Sequence, residues 1–454
     1  MKRSIVAIAA FAVLIAACES RQGDDASAPY ASRYQPLPGA ATLLAGATIL
    51  TGTGARLENA DILLRDGEIV AVGAGLSQEG ATVVDATGRW ITPGVIDVHS
   101  HLGVYPSPGT ASHSDGNEAT APVTAEVWAE HSVWPHDPGF VTALAGGVTA
   151  LQVLPGSANL IGGRGVTLKN VPGRNVQDMK FPGAPHGLKM ACGENPKRVY
   201  GSRGVAPGTR MGNVAGYRTA WIAAADYKKK MEAAEEGKGE PPLRDLKLET
   251  LAGVLSGEIL VHNHCYRGDE MSIMLDIAKE FGYKVTAFHH AVEAYKVADL
   301  LAENDTCAAM WADWWGFKME AYDGIRENAA LVDLAGACAV IHSDSAVGIQ
   351  RLNQETAKVI GAAARAGIDI APERAIQWIT SNAAKALGVS ELTGTLEPGK
   401  MADVVLWSGS PFSVYTRADQ VYIDGALAYD RHDPSLNPVT DFTLGTSAAA
   451  GGAQ

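Results

Sequence analysis

Cysteine is scarce, with five in 454 residues. Cys18 lies in the N-terminal apolar segment, and Cys192, Cys265, Cys307 and Cys338 are far apart, with no CxxC pair. That spacing excludes a disulfide scaffold, and the apolar neighbours of these four predict buried free thiols. Basic charge is also in deficit. Lys and Arg number 37 against 50 Asp and Glu, a net charge of −13, which disfavours nucleic-acid binding because an acidic surface repels phosphate backbones. There is no Walker A motif, and Gly162-Gly163-Arg164-Gly165 is not a dinucleotide-binding fingerprint. With 19% charged and 46% hydrophobic residues, the chain is not a disordered one.

The N-terminus reads as an export signal. Lys2 and Arg3 precede an unbroken apolar run from Ile5 to Ala17. The run is short of the roughly 20 residues that a spanning helix needs, but suits a secretory signal. It ends Leu14-Ile15-Ala16-Ala17-Cys18, which resembles a bacterial lipobox, so residues 1–18 are expected to be a lipoprotein signal with lipid attached at Cys18. That places the chain on the periplasmic or outer side, anchored to the membrane. Glu19, in place of the Asp tied to inner-membrane retention, favours the outer membrane. Residues 19–38 are polar and read as a flexible tether, and residues 433–454 as a flexible tail.

Residues 39–93 read as short strands with turns, including Arg65-Asp66-Gly67, a hairpin signal. The texture returns over 394–432, where Tyr422-Ile423-Asp424-Gly425 again enters an Asp-Gly turn. A β unit split between both ends makes 94–393 one large insertion. There, apolar strand runs such as 148–154, 259–261, 284–288 and 339–341 alternate with helical stretches at 271–281, 294–302 and 354–366. Repeated βα units of this length predict an α/β fold, a parallel (β/α)8 TIM-type barrel. The charged stretch 227–247 reads as an exposed helix and loop.

The chemistry concentrates at predicted strand ends. In Gly94-Val95-Ile96-Asp97-Val98-His99-Ser100-His101, alternation puts Asp97, His99 and His101 on one face. Two imidazoles about 6–7 Å apart along a strand can converge on one ion, and barrel sites lie at strand C-termini. Among the 12 histidines, His262 and His264, His289 and His290, and His342 with Asp344 also follow strand runs. An HxH, then His, His and Asp on later strands, is the donor pattern of a hydrolytic metal centre.

These motifs resemble the metal-dependent amidohydrolase superfamily, near its imidazolonepropionase-like and prolidase-like branches. The likeness runs over residues 39–432 and includes Ala145-Gly146-Gly147-Val148-Thr149, His342-Ser343-Asp344 and the exit Gly394-Thr395-Leu396-Glu397-Pro398-Gly399-Lys400-Met401-Ala402-Asp403. It implies a barrel flanked by a small β-sandwich domain, with one or two divalent metals, commonly Zn2+. Position by position it implies His99 and His101 as first-strand ligands. The fifth-strand ligand is His262 or His264, with His262 preferred; the sixth is His290, with His289 in reserve. Asp344 becomes a weak ligand and the general base toward the attacking water. Two-metal members carry a carboxylated lysine or a glutamate on the fourth strand. Lys189 lies in that strand and Glu194 at its end, on opposite faces by alternation, and Glu194 is preferred.

The resemblance implies a hydrolase of amide, peptide or cyclic amide bonds. Alternatives are a heterocycle deaminase and a non-catalytic metal-binding lipoprotein. A deaminase of this barrel type carries a glutamate three residues after the fifth-strand histidine, where this chain has Cys265 or Arg267. Arg164 and Arg198, with Arg203, are candidates to pair with a substrate carboxylate, suggesting a dipeptide or acylated amino acid as the small-molecule substrate. Trp311, Trp314 and Trp315 could line a pocket.

Overall fold

In the computed structural model, which describes residues 29–436, the chain opens with five strands: β1 (Thr42–Leu50), β2 (Arg56–Arg65), β3 (Glu68–Gly73), β4 (Thr82–Asp85) and β5 (Trp90–Pro93). Eight barrel strands follow: β6 (Val95–Ser100), β7 (Val148–Val153), β8 (Ile161–Lys169), β9 (Gly187–Ala191), β10 (Leu260–His264), β11 (Ala287–His289), β12 (Cys307–Met310) and β13 (Cys338–Ile341). The chain then returns through β14 (Val404–Trp407), β15 (Ala418–Ile423) and β16 (Ala426–Asp430). The signal segment, Cys18 and residues 437–454 lie outside the described residues.

Both Asp-Gly pairs form the turns their sequence predicts. Asp66 and Gly67 have φ of 54° and 84°, and Asp424 and Gly425 have 46° and 72°. A two-residue turn with both φ positive matches the twist of the strands it joins. These turns close β2 on β3 and β15 on β16. Hydrogen bonds join the strands from both chain ends into one sheet, in the order β16-β15-β14-β5-β1-β2-β3, with β4 beside β1. The two ends meet where β5 pairs antiparallel with β14, Pro93 opposite Val404 and Trp90 opposite Trp407. Leu44, Ile49, Ile62, Ile91 and Val404 form its apolar core.

The barrel strands neighbour one another in chain order from β6 to β13. Their residues are almost all buried, because helices cover the outside and side chains fill the inside. One strand departs from the parallel pattern: β8 runs antiparallel to both β7 and β9. A short loop, with no crossover helix, therefore joins β7 to β8. The reversal places Lys169, the last residue of β8, opposite Ala150 near the start of β7, at the end of the barrel that faces the small sheet. There its Nζ donates to Asp403 (2.9 and 3.0 Å) and to Asp424 (3.0 Å). The helices predicted at 271–281 and 354–366 form as Gly268–Phe281 and Leu352–Arg365. The charged stretch continues a long helix, Arg210–Glu235, that ends within it.

Two expectations need correction. The four barrel cysteines are not free thiols: Cys192 is bonded to Cys265, and Cys307 to Cys338. Adjacent barrel strands bring residues tens of positions apart into register, so Cys307 and Cys338 are direct partners across β12 and β13. Cys192 and Cys265 follow β9 and β10, where Cys192 N–H donates to His264 C=O (2.8 Å). The described part of the tether is also packed. Ala31 and Tyr34 are buried, Tyr34 Oη donates to Asp424 Oδ2 (2.5 Å), and Lys180 Nζ donates to the carbonyl of Tyr30 (2.9 Å).

Candidate metal centre

The site is built where β6, β9, β10, β11 and β13 end. His99 is the fifth residue of β6, and His101 follows the strand, its Nδ1 2.8 Å from the carbonyl of Leu154. Across the barrel seam, Asp344 N–H donates to the carbonyl of His99 (2.9 Å). The buried carboxylate of Asp97 ties the same seam: it accepts from the backbone N–H (3.1 Å) and hydroxyl of Ser343, the residue before Asp344. The carboxylate of Asp344 then lies 3.1 Å from His101 Nε2, 3.6 Å from His99 Nε2 and 3.8 Å from His290 Nε2. His290 and Asp344 have φ of 58° and 50°. Two non-glycine residues in the left-handed region at one site mark a backbone held in place by its surroundings.

Around this centre the imidazoles are in mutual contact. The donor atoms of His99, His290 and His342 lie within 4.8 Å of one another, as do those of His99, His101 and Asp344. His99 Nδ1 is 2.9 Å from His289 Nδ1, and His289 Nε2 is 2.8 Å from His262 Nδ1. Gly187 lets the His262 ring lie against β9, since a Cβ there would come within 2.5 Å of His262 Cδ2. His264 faces His290, ring centroids 4.7 Å apart, with its Nε2 3.4 Å from Asn195 Nδ2.

Burial dominates the electrostatics. It holds His99, His264, His289 and His290 well below the usual imidazole range, with the Lys189 charge adding to the effect. Burial likewise takes His262 and His342 to about 3. These rings are therefore neutral donors near pH 7. Burial would raise Asp344, but the hydrogen bond from His101 and the neighbouring positive groups, His101 and Lys189, outweigh it and hold the carboxyl below its ordinary value. Asp344 is thus ionised at neutral pH.

The fourth strand corrects the sequence preference. Lys189 points into the site, with Nζ 3.4 Å from His99 Nε2 and donating to the carbonyl of Pro155 (2.9 Å). Its side chain is 1% exposed, and burial pushes its ammonium down to about 7. Glu194 is not gathered with the histidines. Gly193, with φ of 76°, turns the chain out of the strand, and Glu194 begins the helix Glu194–Gly201. Its carboxylate pairs with Lys318 (3.1 Å) and lines a neighbouring cavity of about 750 Å3.

The arginines divide differently from expectation. Arg164 lies within β8, donates from Nε to Thr250 Oγ1 (2.9 Å) and stacks over Trp128 at 4.3 Å, which is a bracing role. Arg198 is exposed on the helix Glu194–Gly201, and Arg203 donates to the carbonyl of Ala119. The sequence reading did not rank His342 as a ligand. Its signal was its place two residues before Asp344, the same spacing as the HxH.

A divalent cation fits this set. Several donors are neutral imidazoles, one is an ionised carboxylate, and the Nδ1 atoms of His264, His290 and His342 are buried without a hydrogen-bond partner among the described residues. Fold and donor set together define a barrel whose mouth, at its strand C-termini, carries a histidine-rich set of potential metal ligands.

Comparison with known proteins gives the family. Residues 225–437 match the amidohydrolase family model. The crystal structure of an amidohydrolase from Thermotoga maritima superposes with a TM-score of 0.80 at 35% identity, covering 86% of this chain and 100% of its own. The amidohydrolase tasK of Hapsidospora irregularis is 33% identical over 437 residues, 88% of this chain but 44% of its own length. The imidazolonepropionase of Mesorhizobium japonicum is 26% identical over 376 residues, covering 77% of this chain and 87% of its own. The chain spans less than half of tasK. It belongs to the amidohydrolase family, a family of enzymes that act on carbon–nitrogen bonds.

Proposed function

We propose that the chain is a metal-dependent hydrolase of amide, peptide or cyclic amide bonds, with Asp344 as general base. The observation that carries this reading is the convergence of His99, His101, His290, Lys189 and the ionised Asp344 on one point. His99, His101 and His290, with His342 and a fifth-strand histidine, would hold one or two divalent ions, of which Zn2+ suits imidazole and carboxylate donors best. Bound there, such an ion supplies Lewis acidity toward a carbonyl and acidifies water near neutral pH.

The chain's own residues supply the proton handling. Asp344 is about a quarter exposed and can be approached from the barrel mouth. It takes a proton from water and returns it to the leaving nitrogen. The Asp97–Ser343 bond and the Asp344 N–H bond to His99 fix its carboxylate while this happens. Lys189, and not Glu194, is the fourth-strand residue we assign to the centre. An uncharged lysine amine can add to carbon dioxide with loss of a proton to water, giving a carbamate, the carboxylated lysine that the resemblance implies for two-metal members. The deaminase alternative is disfavoured because no acid stands three residues after either fifth-strand histidine. Cys265 is bonded to Cys192, and Arg267 pairs with Asp269 (2.8 Å).

A dipeptide or acylated amino acid remains the proposed substrate class, without Arg164 as its anchor. For location we propose a lipid anchor at Cys18 and an exported, periplasmic or outer-surface chain. The two disulfides support this, because such bonds persist in oxidising compartments. Among the described residues no helix is long and apolar enough to cross a membrane. The test is to load the purified chain with Zn2+ and screen dipeptides, N-acyl amino acids and lactams, with heterocycles assayed for ammonia release. Turnover of an amide that is lost in Asp344→Asn supports the reading. Ammonia release from a ring, lost in the same variant, overturns it.

A further inference from the structure

The connection after β12 carries an aromatic stack that starts on a histidine of the metal centre and ends in solvent. The Trp311 indole lies on His290, with ring centroids 4.4 Å apart and planes 25° apart. Trp314 continues the stack on Trp311, at 5.2 Å and 25°. Phe317 meets Trp311 edge-on at 5.8 Å and Tyr266 at 6.2 Å. The outer members are open: Trp314 is 42% and Phe317 55% exposed. Large aromatic side chains left in water at the mouth of a site, contiguous with its ligands, are unusual for a soluble surface and mark a binding wall.

The wall is held, not loose. Trp311 Nε1 donates to the carbonyl of Ser343 on the β13 side (3.1 Å). On the β9 side, Lys318 donates to Asn195 Oδ1 (3.0 Å), pairs with Glu194 and sits 4.1 Å over the Tyr266 ring. Glu320 is buried and paired with Arg210, which also pairs with Glu270 (3.0 Å). The segment is thus fastened on both sides of the histidine cluster, and its aromatic faces keep a fixed position beside it. This also gives Glu194 a role: it braces the wall through Lys318.

We infer that this stack is a specificity subsite for a flat apolar group, an aromatic side chain carried next to the amide being cleaved. The inference rests on the proposed hydrolase reading. A planar ring gains most against Trp314 and Phe317, because offset stacking adds to simple burial. A glycyl residue, with no side chain, gains nothing there.

The test uses the full chain loaded with Zn2+, titrated with N-acetyl-L-phenylalanine and N-acetylglycine by calorimetry, with the corresponding N-acyl and dipeptide panel followed for turnover. The phenylalanine ligand should bind about tenfold more tightly than the glycine ligand. That ratio should fall toward one in Trp314→Ala and return in Trp314→Phe. In Tyr415→Ala, an 89% exposed residue of the small-sheet region, it should be unchanged. Equal binding of the two ligands by the wild-type chain, or a ratio indifferent to Trp314→Ala, overturns the subsite. The two readings fail separately. Amide hydrolysis with no preference for an apolar side chain refutes the subsite and leaves the reaction. Trp314-dependent binding without turnover of any amide supports the subsite and refutes the reaction.

Discussion

Lys169 and Lys189 are strand lysines of the same barrel, 0% and 1% exposed, and they are opposites. Lys169 sits at the end facing the small sheet and has carboxylates on two sides, Asp403 and Asp424, the latter also bound by Tyr34. Burial would lower it, but these partners outweigh burial and raise it above its ordinary value. Lys189 sits at the opposite end, with a carbonyl and an imidazole within hydrogen-bond distance, and burial takes it down to about 7. A buried charge that is fully paired is part of the structure. One left without a carboxylate partner costs stability, and such an arrangement marks a place where chemistry is done. Here the first lysine joins the barrel to the small sheet, and the second lies among the histidines we propose as metal ligands.

The two lysines should respond differently to substitution and to pH. The largest effect is expected from Lys189→Met, which should lower amide turnover by about 10³-fold or more, while the metal-free variant unfolds no more easily than wild type. Lys169→Met should do the reverse. It strands Asp403 and Asp424 in the interior and should cost about 3–5 kcal/mol in a denaturant titration, with kcat of the folded fraction little changed. Next, the two lysines should respond oppositely to pH in the metal-free chain. An unfolded lysine titrates near 10.4, so Lys189, held at about 7, contributes stability that is present above the unfolded value and lost as pH falls through 7. Lys169, raised, contributes stability present below the unfolded value and lost only as pH rises past its folded one. Between pH 7 and 10 the stability difference from Lys189→Met should therefore rise with pH, and that from Lys169→Met should stay flat. The smallest effect is expected at Glu194→Gln, whose partly exposed pair with Lys318 is worth about 1 kcal/mol or less. Its kcat/KM should stay within about fivefold of wild type.

The first-strand HxH and Asp344 were legible because strand alternation and strand-end position are written in the local sequence. The Asp-Gly hairpins were legible because a turn with both φ positive needs those residues. Strand-end position misled at Glu194, because Gly193 ends the strand and a helix start re-aims the next side chain. The disulfides were hidden, since register between β12 and β13 is a property of the closed barrel and not of residues 31 apart in the chain. The reversal of β8 was hidden too, as a buried strand reads the same in either direction. That reversal is what carries Lys169 to the small sheet, so the pairing that separates it from Lys189 could not be read from sequence.

Lys189, and not Glu194, is the fourth-strand residue we assign to the metal centre. Elemental analysis of the purified full chain, expressed with zinc and bicarbonate, tests it directly when wild type, Lys189→Met and Glu194→Gln are compared. Glu194→Gln should keep the wild-type metal content, and Lys189→Met should lose part or all of it. Full metal content in Lys189→Met, together with loss in Glu194→Gln, would contradict it.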